Sequence, residues 1–367
     1  MRAANLRAYC SLRNIWQREW TINRLEADRL EVAFGTVASK QLAAILPAEP
    51  VLQPQIDTPS PLKLTIRETI LHHTDVFWGE KDDAVGGLRD VESKFYPNGS
   101  DLDAIASKGI FQQTGWPELR VARVQAHYAK PKLEIRSASF AIGKTEDVTV
   151  NGEFDFGEGG GMYLHAHLSN APAEPFLQGF WRGKFEGTFN GDSRIERKFE
   201  HDGKVNAAGS LNFIRAEIHD VPTLDRVATV THHAEFGHLR LNQLRGQYKW
   251  TGAKLEVTEL RLEQENLFRI EGNFVIEDGN IDGEFRVSAT ADVLSAIPGA
   301  CEKVFTESRD HYLWTSMKVG GPLHHPHEDL HGRLVAAAEE QFAKGFLAPI
   351  FKPGKTVLEL LKALYPE

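Results

Sequence analysis

Val148-Thr149-Val150-Asn151-Gly152-Glu153-Phe154-Asp155-Phe156 alternates without a break, with Val148, Val150, Gly152, Phe154 and Phe156 on one side and polar residues on the other. Successive side chains of an extended chain point to opposite faces, so this period of two marks a strand with one buried face. The pattern recurs on either side. Met162, Leu164, Ala166 and Leu168 share a face, as do Trp181, Gly183, Phe185, Gly187 and Phe189. Val205, Ala207, Gly209, Leu211 and Phe213 follow, and then Phe268, Ile270, Phe274 and Ile276. Asn190-Gly191, Asp202-Gly203 and Asp278-Gly279 suit tight hairpins, where a positive φ is required, so the sheet is expected to be mainly antiparallel. Glycine recurs on the apolar face, where it admits another backbone or a ligand, or marks a bulge.

An internal repeat is visible. Leu119-Arg120-Val121, Val124, Tyr128 and Lys132-Leu133-Glu134-Ile135 reappear as Leu239-Arg240-Leu241, Leu244, Tyr248 and Lys254-Leu255-Glu256-Val257, at an offset of 239 − 119 = 120 that widens to 255 − 133 = 122. Gly152 and Phe154 match Gly272 and Phe274, and a shorter echo sits at Leu30-Glu31-Val32. Asn151-Gly152 alone would read as a hairpin. Its counterpart Glu271-Gly272 is a poor turn inside an alternating run, so Gly152 is read as a glycine within a strand. Repeated multi-strand units suggest extension along one axis.

The expected organisation is an N-terminal β segment over 1–46, a Pro-rich linker over 47–61, β-repeat units over 62–222 and 223–328, and C-terminal amphipathic helices over 329–367. Helices are few. Ser100 is placed to cap one running to Ile105, and Pro222 to open one through Val227 and Val230. Asp292 to Ile297 and Ala300 to Phe305 read as two short helices separated by Pro298-Gly299. Apolar residues follow helical spacing from Asp329 to Leu347, and again at Val357, Leu360, Leu361 and Leu364. The fold class is therefore mainly β: an elongated, repeated antiparallel sheet curled into a groove, with a few short helices and a C-terminal helical segment.

Of the 367 residues, 41% are hydrophobic and 25% charged, ordinary for a chain with a large core, and the formal charge is −9. A nucleic-acid partner would need a basic stripe to neutralise phosphates, so this class is excluded. Cys10 and Cys301 read as isolated thiols that leave the redox compartment open. No window reaches the ~20 apolar residues of a transmembrane helix, and the first residues lack an apolar signal core, so the chain as it stands is expected to be soluble and not exported.

His327-Glu328-Asp329-Leu330-His331 fits H-E-x-x-H, which on a helix holds zinc between two imidazoles with Glu as general base. Pro326 directly before it and Gly332 directly after it favour an exposed, histidine-rich turn, and no metal or other cofactor is assigned. His165 and His167 lie opposite the apolar face of their strand, and His72-His73 and His232-His233 are adjacent pairs whose side chains point apart. There is no G-x-S-x-G, P-loop or G-x-G-x-x-G after a strand, and Gly157 to Gly161 reads as a flexible hairpin loop. Trp78, Trp116, Trp181, Trp250 and Trp314 could form a sugar platform, with core packing the simpler reading.

Two further runs carry a likeness. Lys254-Leu255-Glu256-Val257, Ile270-Glu271-Gly272-Asn273-Phe274 and Asp278-Gly279-Asn280-Ile281-Asp282-Gly283 follow one another. Ile297-Pro298 and Val304-Phe305 then lead to Met317-Lys318-Val319-Gly320-Gly321-Pro322-Leu323-His324-His325-Pro326. Over roughly residues 100 to 335, the chain resembles the C-terminal part of AsmA-like envelope proteins, which are related to TamB-type bridge-like lipid transfer proteins. The resemblance implies a non-enzymatic role in outer-membrane biogenesis on the periplasmic side of the cell envelope. It implies that an apolar β groove binds or conducts phospholipid or another acyl-chain ligand, with a membrane surface or envelope proteins as partners. Val148, Val150, Phe154 and Phe156 would line the groove, with Phe185, Phe189, Leu211, Phe213, Phe274 and Ile276, while glycines on the same face leave room for a tail. Members normally begin with a membrane anchor, whereas here Ile22 to Val32 already reads as strand, so the 1–46 segment is expected to be a truncated or misassigned start. The alternatives are a zinc-dependent hydrolase built on residues 327–331 and a β-sandwich glycan-binding module.

Overall fold

A computed structural model of the chain describes residues 2–11, 19–34, 63–80, 83–143, 145–177, 179–199 and 203–344. The protein is mainly β, with 22 strands among these residues, and it divides into two compact units. The first comprises Met1–His167 with Glu196–Gly203, the second Leu168–Ile195 with Lys204–Glu367.

The first unit begins with β1 (Arg2–Ala4), β2 (Arg7–Ser11), β3 (Glu19–Phe34), β4 (Lys63–Ile66), β5 (Thr69–Glu80) and β6 (Asp83–Asn98). It continues with β7 (Asp101–Ser107), β8 (Ile110–Gln113), β9 (Leu119–Ala129), β10 (Lys132–Ile142) and β11 (Thr145–Asp155). From β5 to β11 the strands form an antiparallel meander, with β7 and β8 end to end between β6 and β9. The sheet is nevertheless mixed, because β3 runs parallel to β4 and β5. A parallel pair cannot be joined by a tight turn, so the chain must cross between residues 34 and 63. The Pro-rich linker at 47–61 lies outside the described residues. Residues 101–105, expected to be helical, are strand β7: Leu102 and Ala104 pair with Tyr128 and Ala126 on β9, so cross-strand packing overrides the local cap signal.

β12 (Gly161–Pro172) and β13 (Phe185–Lys198) each contribute residues to both units. The second unit continues with β14 (Asn206–His219), β15 (His238–Leu241), β16 (Gln243–Trp250), β17 (Lys254–Gln264), β18 (Phe268–Glu277) and β19 (Asn280–Thr290). It closes with β20 (Glu307–Arg309), β21 (Tyr312–Pro322) and β22 (His327–Glu328). The pairings described among these strands are antiparallel; β15 and β16 lie end to end along β14, and β20 and β22 flank β21. Asp278 (φ 49°) and Gly279 (φ 74°) make the expected tight turn between β18 and β19. Asn190-Gly191, by contrast, lies inside β13, where Asn190 accepts a hydrogen bond from the Asn170 amide at 2.8 Å. The pair at 202–203 falls at the edge of the described residues.

Four helical pieces match the sequence signals. α1 (Pro222–Thr231) starts at Pro222, whose missing N–H costs nothing in a first turn, and stops at left-handed His232. α2 (Ala291–Ser295) and a π-turn at Ala300–Val304 are separated by Pro298-Gly299, and α3 covers Leu330–Lys344. The second stripe, at 357–364, lies outside the described residues. Leu224, Val227 and Ala228 of α1, Val293 and Leu294 of α2, and Leu330, Leu334 and Ala337 of α3 gather on one cluster with Phe236, Leu241 and Phe268.

The repeat extends to the backbone. β10 bulges between Ile135 and Ala138 opposite Gly152 and Val150, and β17 bulges between Val257 and Leu260 opposite Phe274 and Gly272. Each bulge adds one residue and resets parity, so Leu133, Ile135, Ala138 and Phe140 keep one face, as do Leu255, Val257, Leu260 and Leu262.

Glycine does not leave the room expected of it. A Cβ on Gly152, whose φ is +146°, would sit 2.0 Å from the Tyr163 carbonyl oxygen. One on Gly209 would sit 1.9 Å from that of Asp192. The space is taken by the backbone of the adjacent strand. At Gly272 the Glu284 carbonyl oxygen (2.5 Å) and the Phe285 ring (2.7 Å) both crowd the position, and at Gly283 Phe274 and the Phe285 ring do so at 2.8 Å. Gly152→Ala should therefore cost about 3 kcal/mol, through backbone strain plus steric overlap. Gly99→Ala, at a turn with open space around it (φ +65°), should cost only about 1 kcal/mol. Urea unfolding of the two variants measures the difference; equal midpoints would contradict the close-approach role of Gly152.

Candidate apolar binding face

In the second unit the antiparallel registers align side chains in rows across six strands. One row is Phe213, Leu244, Leu262, Ile270, Val287 and Thr315. Beyond an intervening row that includes Leu211, Leu260, Gly272, Phe285 and Met317, the second is Gly209, Tyr248, Val257, Phe274, Gly283 and Val319, and the third is Ala207, Trp250, Leu255, Ile276, Ile281 and Gly321. Residues directly opposite share a face, so the three rows form one surface that is almost entirely apolar.

The helices divide that surface. The five apolar residues of the first row pack against the helix-covered cluster, and Arg333 of α3 donates to Thr315 Oγ1 at 3.1 Å. The other two rows have no part in that cluster. Tyr248, Val257, Phe274, Leu255, Ile276 and Ile281 are half-buried, and Phe274 stacks on Phe285 at 6.2 Å. Five strand spacings of about 4.8 Å make each row about 24 Å long, more than the ~15 Å that one acyl tail spans in a leaflet.

The first unit has a comparable face. Pro97, Leu102, Tyr128, Leu133 and Phe154 make one row; Phe95, Ala104, Ala126, Ile135 and Gly152 make the next. Toward the other end of the strands, Trp78, Phe111 and Phe140 pack ring against ring at 5.8 and 5.9 Å.

The ten residues expected to line a groove separate accordingly. Leu211, Phe274 and Ile276 lie half-buried outside the helix-covered cluster. Phe185 and Phe213 pack under the helices, edge to face at 5.4 Å, and Phe189 is buried against Phe176 and Phe213. In the first unit Val148 is buried, Val150 and Phe154 are half-buried, and Phe156 is 56% exposed. Tyr248, Val257, Leu255 and Phe285, absent from the expected set, share the open part of the second unit's face. Strand registers find them; the bulge at Val257/Leu260 breaks the alternation that would have revealed them in sequence.

The opposite face of the second unit is polar and internally balanced. Trp314 is fully buried among Arg309 (4.5 Å), Arg286 (5.3 Å) and Arg269 (5.8 Å). Those arginines and Arg261 pair with Glu263, Glu271, Glu307 and Asp310. Burial pushes the Glu263 carboxyl up, but hydrogen bonds from Arg269 and Arg261 outweigh it and hold the group below its ordinary value. With the charges matched, this cluster seals a face and has no surplus cation for an anionic ligand. Trp116, Trp181 and Trp250 are exposed, whereas Trp314 is part of the packed interior.

The H-E-x-x-H segment does not adopt the geometry its spacing suggests. His327 is in strand β22, paired with Gly320 and stacked on Gly321, while His331 is in the first turn of α3. The two imidazoles are therefore not one helical turn apart. Both Glu328 carboxylate oxygens accept from the His331 amide, at 3.2 and 3.0 Å, and one also from that of Leu330, so Glu328 is the helix cap and not a free base. No group of three metal-ligating side chains occurs among the described residues. His232 and His233 end α1, and His233 Nε2 lies 3.4 Å from Asp292.

His219 and His238 face each other across β14 and β15 with ring centres 5.8 Å apart. His219 donates to Asp220 at 2.9 Å, and that bond raises its pKa; Glu186 at 3.5 Å adds to the effect. His238 bonds Glu217 at 2.8 Å. No helix among the described residues is long and apolar enough to cross a membrane. No family model matches the chain, and no curated protein or solved structure matches it significantly.

Two outcomes follow from this geometry. Glu328→Ala should lower stability by about 1 kcal/mol in urea unfolding, as loss of a helix cap does. For His219, the raised folded pKa means its contribution is complete below the unfolded pKa and fades as pH rises through the folded one. Asp220→Asn should move the His219 midpoint down in an NMR titration; an unmoved midpoint would remove Asp220 as the cause.

Proposed function

We propose that this chain is a non-enzymatic envelope-biogenesis protein that binds or conducts phospholipid, or another acyl-chain ligand, on the apolar faces of its sheets. The observation that carries this reading is the part of the second unit's face that lies outside the helix-covered cluster among the described residues: two rows of largely half-buried apolar side chains on the same strands whose other end the helices seal. An acyl chain in water costs about 0.8 kcal/mol per CH₂, so a carrier must offer an unbroken apolar path and needs no reactive group. The rows offer such a path, and Glu328, the one general base the sequence suggested, is committed to a helix end. The resemblance to AsmA-like proteins supports the same reading and adds its location, the periplasmic side of the envelope, with membrane surfaces or envelope proteins as partners.

Organic extraction and mass spectrometry of the purified protein should recover phospholipid. Val257→Asp with Phe274→Asp places charge in the middle of the open rows and should cut recovered lipid by about fivefold or more while the melting temperature shifts little. Phe213→Asp, under the helices, should prevent folding instead. A lipid-free wild-type protein, or undiminished lipid in the double variant, would count decisively against the proposal.

A further inference from the structure

A small hollow lies in the first unit, on the face turned away from the Trp78 and Phe111 rings. Phe77 of β5, Gly87 of β6 and Gln112 of β8 pair in one row. Phe77 and Gln112 are the chain neighbours of Trp78 and Phe111, so the row points the other way. Gly87 stands in the middle and leaves a gap between two side chains whose Cα atoms are about 10 Å apart, two strand spacings. The position is held to glycine: an added Cβ would lie 2.8 Å from the Val76 carbonyl oxygen and 3.0 Å from the Phe77 ring. The cavity over this gap measures about 280 Å³. About nine waters fill such a space, so it suits a small molecule or a single headgroup.

Its two walls carry opposite charges. On the β5 side, Arg89 shares the face of Gly87, and its guanidinium carbon lies 5.7 Å from the centre of the Phe77 ring. On the β8 side, Glu118 accepts a hydrogen bond from Gln112 Nε2, which leaves Gln112 Oε1 and the rest of the carboxylate as acceptors. Arg89 and Glu118 both line the cavity, yet neither makes an ion pair among the described residues, with each other or with any other group. The turn that leads to Glu118 is tied to its strand. The Trp116 amide donates to the Gln113 carbonyl at 2.9 Å, and Gln113 Oε1 accepts from Trp78 Nε1 at 3.1 Å.

We propose that this hollow binds a small zwitterion, with an oxyanion end on Arg89 and a primary ammonium end on Glu118 and Gln112. That chemistry is shared by an α-amino acid and an ethanolamine-phosphate headgroup. The charge pattern selects it. A ligand that displaces water from both walls must return a charge to each, because an ionised group stripped of water and left unpaired is costly. A simple anion meets Glu118 as a like charge, and a simple cation meets Arg89, so each is penalised. A neutral polyol returns hydrogen bonds but no charge. The guanidinium fork suits the paired oxygens of a carboxylate or a phosphodiester. The N–H donors of a primary ammonium suit the acceptors at Gln112 and Glu118, and a quaternary ammonium has no such donors. The proposal is independent of the acyl-chain reading, which concerns the opposite face.

Ligand-detected NMR titrations of the full chain test it, with glycerophosphoethanolamine and glycine as the two probes. Wild type should bind at least one of them, about tenfold more tightly than the single-charge controls ethanolamine, glycerol phosphate and acetate. The trimethylated counterparts, glycerophosphocholine and betaine, should bind about tenfold more weakly than the probe they match. Arg89→Gln and Glu118→Gln should each weaken binding about tenfold. Both side chains are exposed, so the melting temperature and the phospholipid recovered from each variant should stay at the wild-type level. Binding of glycerophosphoethanolamine alone identifies a lipid headgroup as the source, of glycine alone a free amino acid, and of both the shared chemistry; each supports the proposal. It is overturned if neither probe binds, if single-charge or trimethylated controls bind as tightly as the probes, or if either variant binds like wild type. A lipid-free protein that binds a probe keeps this site and removes the acyl-chain reading, so the two fail separately.

Discussion

A sheet with one apolar face must have that face covered by something, and in the second unit the described residues supply cover for only part of it. α1, α2, the π-turn and α3 all gather over one end of the strands and close on Phe213, Leu244, Leu262 and Ile270. The neighbouring rows through Val257 and Ile276 repeat the same chemistry without a lid of their own among the described residues. The helices anchor the strands, and the anchored strands can then carry apolar side chains that no core shelters. The stabilising contacts and the proposed binding rows therefore sit on the same strands but at different levels along them.

The other face has the opposite design. Around Trp314, four arginines and four carboxylates neutralise one another, and Glu263 stays ionised in spite of its burial because two guanidinium groups hold it. A polar surface whose charges cancel offers no net charge to an anion. That leaves the apolar face as the chemically available one, and it explains how a mainly β chain can be one-sided without presenting two sticky surfaces.

Much of this was legible in sequence, and the exceptions have physical causes. Alternation identified the strands, Asp278-Gly279 the tight turn, Pro222 the start of α1 and Pro298-Gly299 the break after α2, since each rests on a local backbone requirement. Asn190-Gly191 misled because the same dipeptide serves inside a strand when a neighbour claims the space and Asn170 claims the side chain. Ser100 offered a cap to a segment whose partners lie on β6 and β9. The parallel pairing of β3 with β5 leaves no local mark. For the candidate site, alternation found Phe274 and Ile276 but could not tell them from Phe213, because helix cover is decided by segments distant in sequence. Glu328 looked catalytic only because five residues of spacing say nothing about which of them begins the helix.

The paired bulges have a consequence of their own. The register partner of Ile135 is Gly152, and that of Val257 is Phe274, whereas sequence likeness pairs Gly152 with Gly272. The two copies have slipped by two residues, the smallest displacement that leaves inward residues inward. Such a sheet can evolve in length only by even steps, or by an odd step that a bulge absorbs. Its descendants should therefore differ in strand length by pairs, so that divergence in these repeats is quantised by the pleat and not by the individual residue.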